Sequence, residues 1–198
     1  MKLPIIGITG ATGAGKGLAC KILAAQGAFI IDSDAIAHSI IKKGFPAYTE
    51  ILAAFPEHSY IDEHGEIIRQ KLAEIIFADE NKRLLLTEIT HKYITKNIIS
   101  TISDIRSNPN NYNKIVIDAP LLIESGLHTL CDKVIGIVAD EKTRIARIMK
   151  RDKLSEEAAQ QRANKQTPLY VLEKYADVII ENNCNEETFR EKINGYRP

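Results

Sequence analysis

The chain has 198 residues, 44% of them hydrophobic and 26% charged, enough to bury the core of one domain with or without insertions. Lysine plus arginine and aspartate plus glutamate each number 26, so no global charge directs it to nucleic acid or an anionic membrane surface. It has no apolar run of transmembrane length and no secretory-signal pattern, and its three scattered cysteines, Cys20, Cys131 and Cys184, have no zinc spacing. A cytoplasmic, monomeric protein with reduced thiols and no nucleic-acid or membrane partner is expected.

Ile5, Ile6 and Ile8 predict a short buried strand, and Leu18, Ile22 and Leu23 a helix that stops at Gly27. Between them, Gly10 to Lys16 fits the first seven positions of the phosphate-binding pattern G-x-x-x-x-G-K-[ST]. Glycines let the backbone turn tightly enough to aim successive N–H groups at phosphate oxygens, and the helix adds its positive end. Lys16 supplies a catalytic point charge near the β- and γ-phosphates. Gly10, Ala11, Thr12, Gly13, Ala14, Gly15, Lys16, Gly17 and Leu18 are thus the candidate ATP-binding residues. The bland alternative is an ordinary glycine-rich turn, but here strand, glycines, lysine and helix all fall in register. One position departs. Gly17 stands where a Ser or Thr hydroxyl would bind Mg²⁺.

Ala28 to Ile31 predicts a second strand, ending in Asp32-Ser33-Asp34. Carboxylates at the C-terminal end of a strand in an open α/β sheet lie where ligands bind, which suits a general base or a metal contact. Ser33 or Asp34 alternatively caps a helix through Ala35, Ile36 and Ile40. Asp32 takes the catalytic reading and Asp34 capping plus secondary substrate contacts. From about Gly44 to Asn113 the strand–helix alternation lapses. Gly44-Phe45-Pro46 is a break, a helix is expected over Glu66 to Ala78, and Asp79 caps a long one that ends near Ser107. This helical stretch is either a wall for a second substrate or plain packing. His91 lies on its polar side, where a histidine more often serves structure than catalysis.

Lys114 to Asp118 predicts a third, central strand, with Asp118 placed like a carboxylate that helps hold Mg²⁺. Glu124, after Leu121, either contacts substrate or caps a turn. Lys133 to Val138 predicts a fourth strand, and Asp140 starts a helix on which Arg144, Arg147 and Arg151 share a face. Such a row suits a lid over phosphates, or is simply a solvated basic face. Ser155-Glu156-Glu157 opens another helix, with Pro168 ending that segment. Ala176 to Ile180 predicts a fifth strand, and about Glu186 to Gly195 a last helix.

Taken together, these motifs resemble the dephospho-coenzyme A kinase family from Ile5 to about Asn183. The resemblance rests on Gly7 to Lys16, Ile31-Asp32-Ser33-Asp34-Ala35-Ile36-Ala37, His91-Lys92-Tyr93-Ile94 and Ala119-Pro120-Leu121-Leu122-Ile123-Glu124. Arg147, Arg151-Asp152, the Ser155 helix with Arg162 and Gln166, and Ala176-Asp177-Val178-Ile179 complete it. The phosphate loop alone is generic; the D-x-D-x-I-A and P-L-L-x-E segments in this order are more specific. The resemblance implies an α/β P-loop kinase fold: one domain with a five-stranded parallel sheet, a helical substrate region at about 44–113 and a lid at about 141–168. It implies ATP-dependent phosphorylation of the ribose 3′-hydroxyl of dephospho-coenzyme A, with Mg²⁺. Asp32 matches the base and Arg147 the lid arginine. Asp34, His91, Leu121 and Glu124 are the substrate-binding candidates, and Asp32 and Asp118 the metal candidates. His38 and Cys184 depart from the family, which often has Arg and usually has Gly there. Fold alone leaves two other readings, a kinase for a different small molecule or nucleoside phosphate, and an impaired nucleotide-binding homologue.

Overall fold

The computed structural model describes residues 3–77, 79–164 and 169–196. Within them the chain forms two compact units, Met1–Asp32 with Ile105–Pro198, and Ser33–Asp104. Gln166 and Pro168, part of the family resemblance, lie outside the described residues.

The first unit is built on five parallel strands: β1 (Ile5–Gly10), β2 (Ala28–Asp32), β3 (Lys114–Asp118), β4 (Lys133–Val138) and β5 (Val178–Glu181), in the order β2-β3-β1-β4-β5. All of β1 is buried, as a strand with neighbours on both edges and covered faces must be. Its Ile6 and Ile8 pack with Ile22 and Leu23 of α1 (Lys16–Ala25), Val116 of β3 and Phe189 of the C-terminal helix. Each such side chain, fully removed from water, contributes about 1.5–3 kcal/mol before the entropy of ordering it is counted. β3 is interior, between β2 and β1, which explains its apolar run.

The second unit holds α2 (Ser33–Ile40), α3 (Pro46–Ala54), α4 (Arg69–Phe77) and most of α5 (Glu80–Ser107). Its core gathers Ile51, Phe55, Tyr60, Leu72 and Ile89. Tyr60 is fully buried, and its hydroxyl is satisfied by donation to the Phe55 carbonyl at 2.6 Å. Burial pushes the Tyr60 phenol up to about 12, so it stays neutral. After β4 come α6 (Glu141–Asp152), α7 (Glu156–Asn164), α8 (Leu169–Tyr175) and, beyond β5, α9 (Glu186–Gly195). Asp140 caps α6, accepting from Thr143 N at 2.7 Å. Asp79 caps α5, accepting from Asn81 N at 2.9 Å.

Several boundaries differ from expectation, each for a local reason. α2 begins at Ser33, directly after the strand, so Ser33 and Asp34 lie in its first turn rather than before it. α4 begins at Arg69, not Glu66, because Glu66 to Ile68 belong to a turn: Ile61 bridges Ile67, and the Asp62 carboxylate accepts from His64 N and Glu66 N. The expected break at Gly44-Phe45-Pro46 separates α2 from α3, and Pro46 takes the first helical position of α3, where a missing N–H costs nothing. β5 begins two residues late because Ala176 N still serves the last turn of α8, bonding Leu172 O at 2.8 Å.

Candidate active site

The loop from Gly10 to Lys16 joins β1 to α1, and its glycines are fixed by their neighbours. Gly10 has φ +145°, and a Cβ there would lie 2.1 Å from the Ile137 carbonyl of β4. Gly15 has φ +111°, and a Cβ there would lie 2.2 Å from Asn182 Nδ2. Neither position admits a side chain. Gly17 is the opposite case: a Cβ there meets nothing within 4 Å and φ is ordinary. Serine is absent from this position by identity, not for lack of room.

Lys16 opens α1, and its ammonium donates to the Gly10 carbonyl at 2.9 Å, across the base of the loop. Ala14 N donates to Ala11 O at 3.0 Å, closing a tight turn inside the loop. Arg147 Nη1 donates to the carbonyls of Gly13 at 3.3 Å and Ala14 at 3.4 Å, and Nη2 to Asn182 Oδ1 at 3.3 Å. Asn182 Nδ2 donates to Ala14 O at 2.7 Å. Thr9 Oγ1 donates to Pro120 O at 3.1 Å, tying β1 to the segment after β3.

Sheet register places the carboxylates. Asp32 pairs with Asp118 across β2 and β3, and Asp118 with Ile8 of β1. Neighbouring strands lie about 4.8 Å apart, so the two aspartates stand side by side at the carboxyl ends of their strands, beside the phosphate loop. Cys20 of α1 is buried and hydrogen-bonded to Asp118; burial first, then that carboxylate, pushes its thiol far up, so it stays protonated.

The three arginines that share a face of α6 are placed differently. Arg147 reaches the loop, Arg144 donates to Ala163 O of α7 at 3.4 Å, and Arg151 forks onto Asp152 at 2.7 and 2.9 Å. Arg162 of α7 joins Asp152 at 2.8 Å. Ile148, Ala159 and Ala163 make a small core between α6 and α7. Leu121 is 56% exposed and Glu124 is exposed, both in the segment that follows β3. Asp34 and His91 belong to the helical unit: Asp34 is exposed in the first turn of α2, and His91 is half-buried on α5, where burial holds its imidazole below the ordinary value. Among the described residues no three His, Cys, Asp or Glu side chains gather as a metal cage. A cage is not required for Mg²⁺, which one or two carboxylates plus substrate phosphates commonly hold, and the Asp32–Asp118 pair fits that donor set.

The sequence profile of the dephospho-CoA kinase family matches residues 4–187. The chain belongs to the dephospho-CoA kinase family. It is therefore a kinase, with the P-loop kinase fold. It is 37% identical over 191 residues to a dephospho-CoA kinase of Carboxydothermus hydrogenoformans, covering 96% of this chain and 91% of that protein. A solved structure from Thermus thermophilus superposes with a TM-score of 0.81 at 25% identity, covering 98% of this chain and 96% of the other. The dephospho-CoA kinase of Campylobacter jejuni superposes with a TM-score of 0.69 at 29% identity, covering 96% and 92%. Among the described residues of this kinase, no helix is long and apolar enough to cross a membrane.

Two residues of this kinase's site are not singled out by its sequence. Asn182 is 2% exposed and Thr9 1% exposed, and both hold the loop region. Thr9 lies in β1, one residue before the phosphate motif begins at Gly10, where the pattern specifies nothing. Asn182 carries one signal only, its place just past a strand's carboxyl end.

Proposed function

We propose that this kinase transfers the γ-phosphoryl group of ATP to the ribose 3′-hydroxyl of dephospho-coenzyme A, completing coenzyme A. The observation that carries this reading is the register that sets Asp32 and Asp118 level with each other beside the Gly10–Lys16 loop, in a chain of this family. Gly10 to Leu18 cradle the ATP phosphates. Asp32 orients the sugar hydroxyl and takes its proton as the 3′-oxygen bonds to phosphorus and ADP leaves. Lys16 and Arg147 offset charge on the transferring group, since positioning and electrostatics supply most of the acceleration in such reactions. Asp34, His91, Leu121 and Glu124 are the proposed acceptor-binding residues.

Asp118 and Asp32 would hold Mg²⁺, with water filling the place of the hydroxyl that Gly17 lacks; a bound ion would supply positive charge to offset that of the ATP phosphates. Gly17→Ser should then tighten the metal dependence of ATP binding, and an unchanged Mg²⁺ titration would show the position to be unimportant. The reaction itself is tested by ADP release across a panel of acceptors. Release with dephospho-coenzyme A and not with nucleoside monophosphates is expected; the reverse preference would reject the substrate assignment.

A further inference from the structure

Asn182 is buried, 2% exposed, and both ends of its amide are used. The amide's orientation follows from chemistry. A carbonyl only accepts, so Nδ2 must face Ala14 O; a guanidinium only donates, so Oδ1 must face Arg147. Asparagine alone among side chains of this size satisfies both neighbours without adding charge beside a phosphate site. Aspartate lacks the donor, and leucine lacks both groups. The contact is also close: Gly15 tolerates no Cβ because Asn182 Nδ2 fills that space.

The peptide between Ala14 and Gly15 is trans, since the described chain has no cis bonds, and its plane makes the Gly15 N–H point opposite to the Ala14 carbonyl. Whatever grips that carbonyl therefore sets the direction of the amide that precedes Lys16. We propose that Asn182 is a positioning residue for ATP, acting with Arg147 through the Ala14 carbonyl to hold the Gly15 N–H toward the phosphates. This deepens the proposed kinase reading and rests on it. Arg147 thereby has a second task, because its hold on Gly13 O and Ala14 O stabilises the loop from the same side.

The test is calorimetric binding of ATP and of inorganic triphosphate to the full chain, its Asn182→Leu variant and its Asn182→Asp variant, with melting temperatures alongside. Losing a hydrogen bond within the loop should weaken ATP by about tenfold, and inorganic triphosphate by the same factor, since only the phosphates are affected. Asn182→Asp keeps the shape and the acceptor for Arg147, so it carries the test if the leucine variant does not fold, with a loss of at least about tenfold expected because it removes the donor and adds charge beside the phosphates. ATP affinity within about twofold of the parent in a folded variant would overturn the inference, marking Asn182 as structural only. So would a loss confined to ATP and spared for triphosphate, which would place Asn182 against the base or sugar. A parent chain that binds neither ligand would instead overturn the kinase reading itself.

Discussion

The sheet unit and the helical unit hold their candidate residues by different means. In the sheet unit, Asp32 and Asp118 are fixed by strand register, and the phosphate loop is fixed by glycines whose missing side chains are occupied by Ile137 O and Asn182. A change of one methyl group there collides with backbone or with a buried amide. In the helical unit, Asp34 and His91 are side chains on helix surfaces whose backbone bonds are complete without them. The first arrangement leaves no room for added atoms; the second is tolerant, which suits the acceptor contacts proposed for it. Substitutions should therefore separate into large effects on chemistry and the loop, and smaller effects on the acceptor.

The largest effect is expected for Asp32→Asn, which keeps the shape but cannot take a proton. Turnover should fall by about 10²- to 10⁴-fold in steady-state assays, while ATP affinity stays near the parent's. Near-normal turnover would remove Asp32 from the base role and with it the special standing of the sheet edge. Gly10→Ala comes next, because its Cβ would lie 2.1 Å from Ile137 O at φ +145°. Denaturant unfolding should show a loss of about 2–4 kcal/mol, together with weakened ATP binding. A neutral result would mean that the loop is less tightly held than the sheet geometry requires.

His91→Ala should raise KM for dephospho-coenzyme A by about tenfold or less and leave KM for ATP unchanged, a split that a loop residue would not produce. His91 also gives a pH signature. Its folded value is depressed by burial below the ordinary 6.5, so the unfolded state binds the proton more readily. Stability should therefore fall as pH drops below about 6.5 and show no such dependence above it. The melting temperature of His91→Gln should drop less than the parent's on acidification across that window. The smallest effect is expected at Gly17→Ala, where open space and ordinary φ predict a gain of about 0.5–1 kcal/mol from helix propensity alone.

The same contrast governs what the sequence makes legible. Strands β1 to β4 are readable because buried parallel strands are near-continuous apolar runs, and the phosphate loop because few residues can make that turn. Asp32 and Asp118 are readable from their places at strand ends. Asn182 is not, because its importance lies in two long-range hydrogen bonds, to Ala14 and Arg147, that no local pattern encodes. The row of arginines on α6 is legible as a face, but its division between Ala163, the loop and Asp152 depends on what packs against each turn. The start of α4 is hidden for a similar reason: Glu66 to Ile68 have helical periodicity, yet the Asp62 turn and the Ile61–Ile67 bridge claim their backbone. The sequence marks a break at Pro46, and only the structure shows that a helix starts on it.

The most direct measurement incubates the purified chain with Mg-ATP and dephospho-coenzyme A, then determines the mass of the product and the site of the added phosphate. One phosphoryl group on the ribose 3′-oxygen, with ADP formed in equal amount, is the result expected of Asp32 and Asp118 beside this loop. ATP bound without product, or a phosphate placed on another acceptor when one is offered, would contradict it.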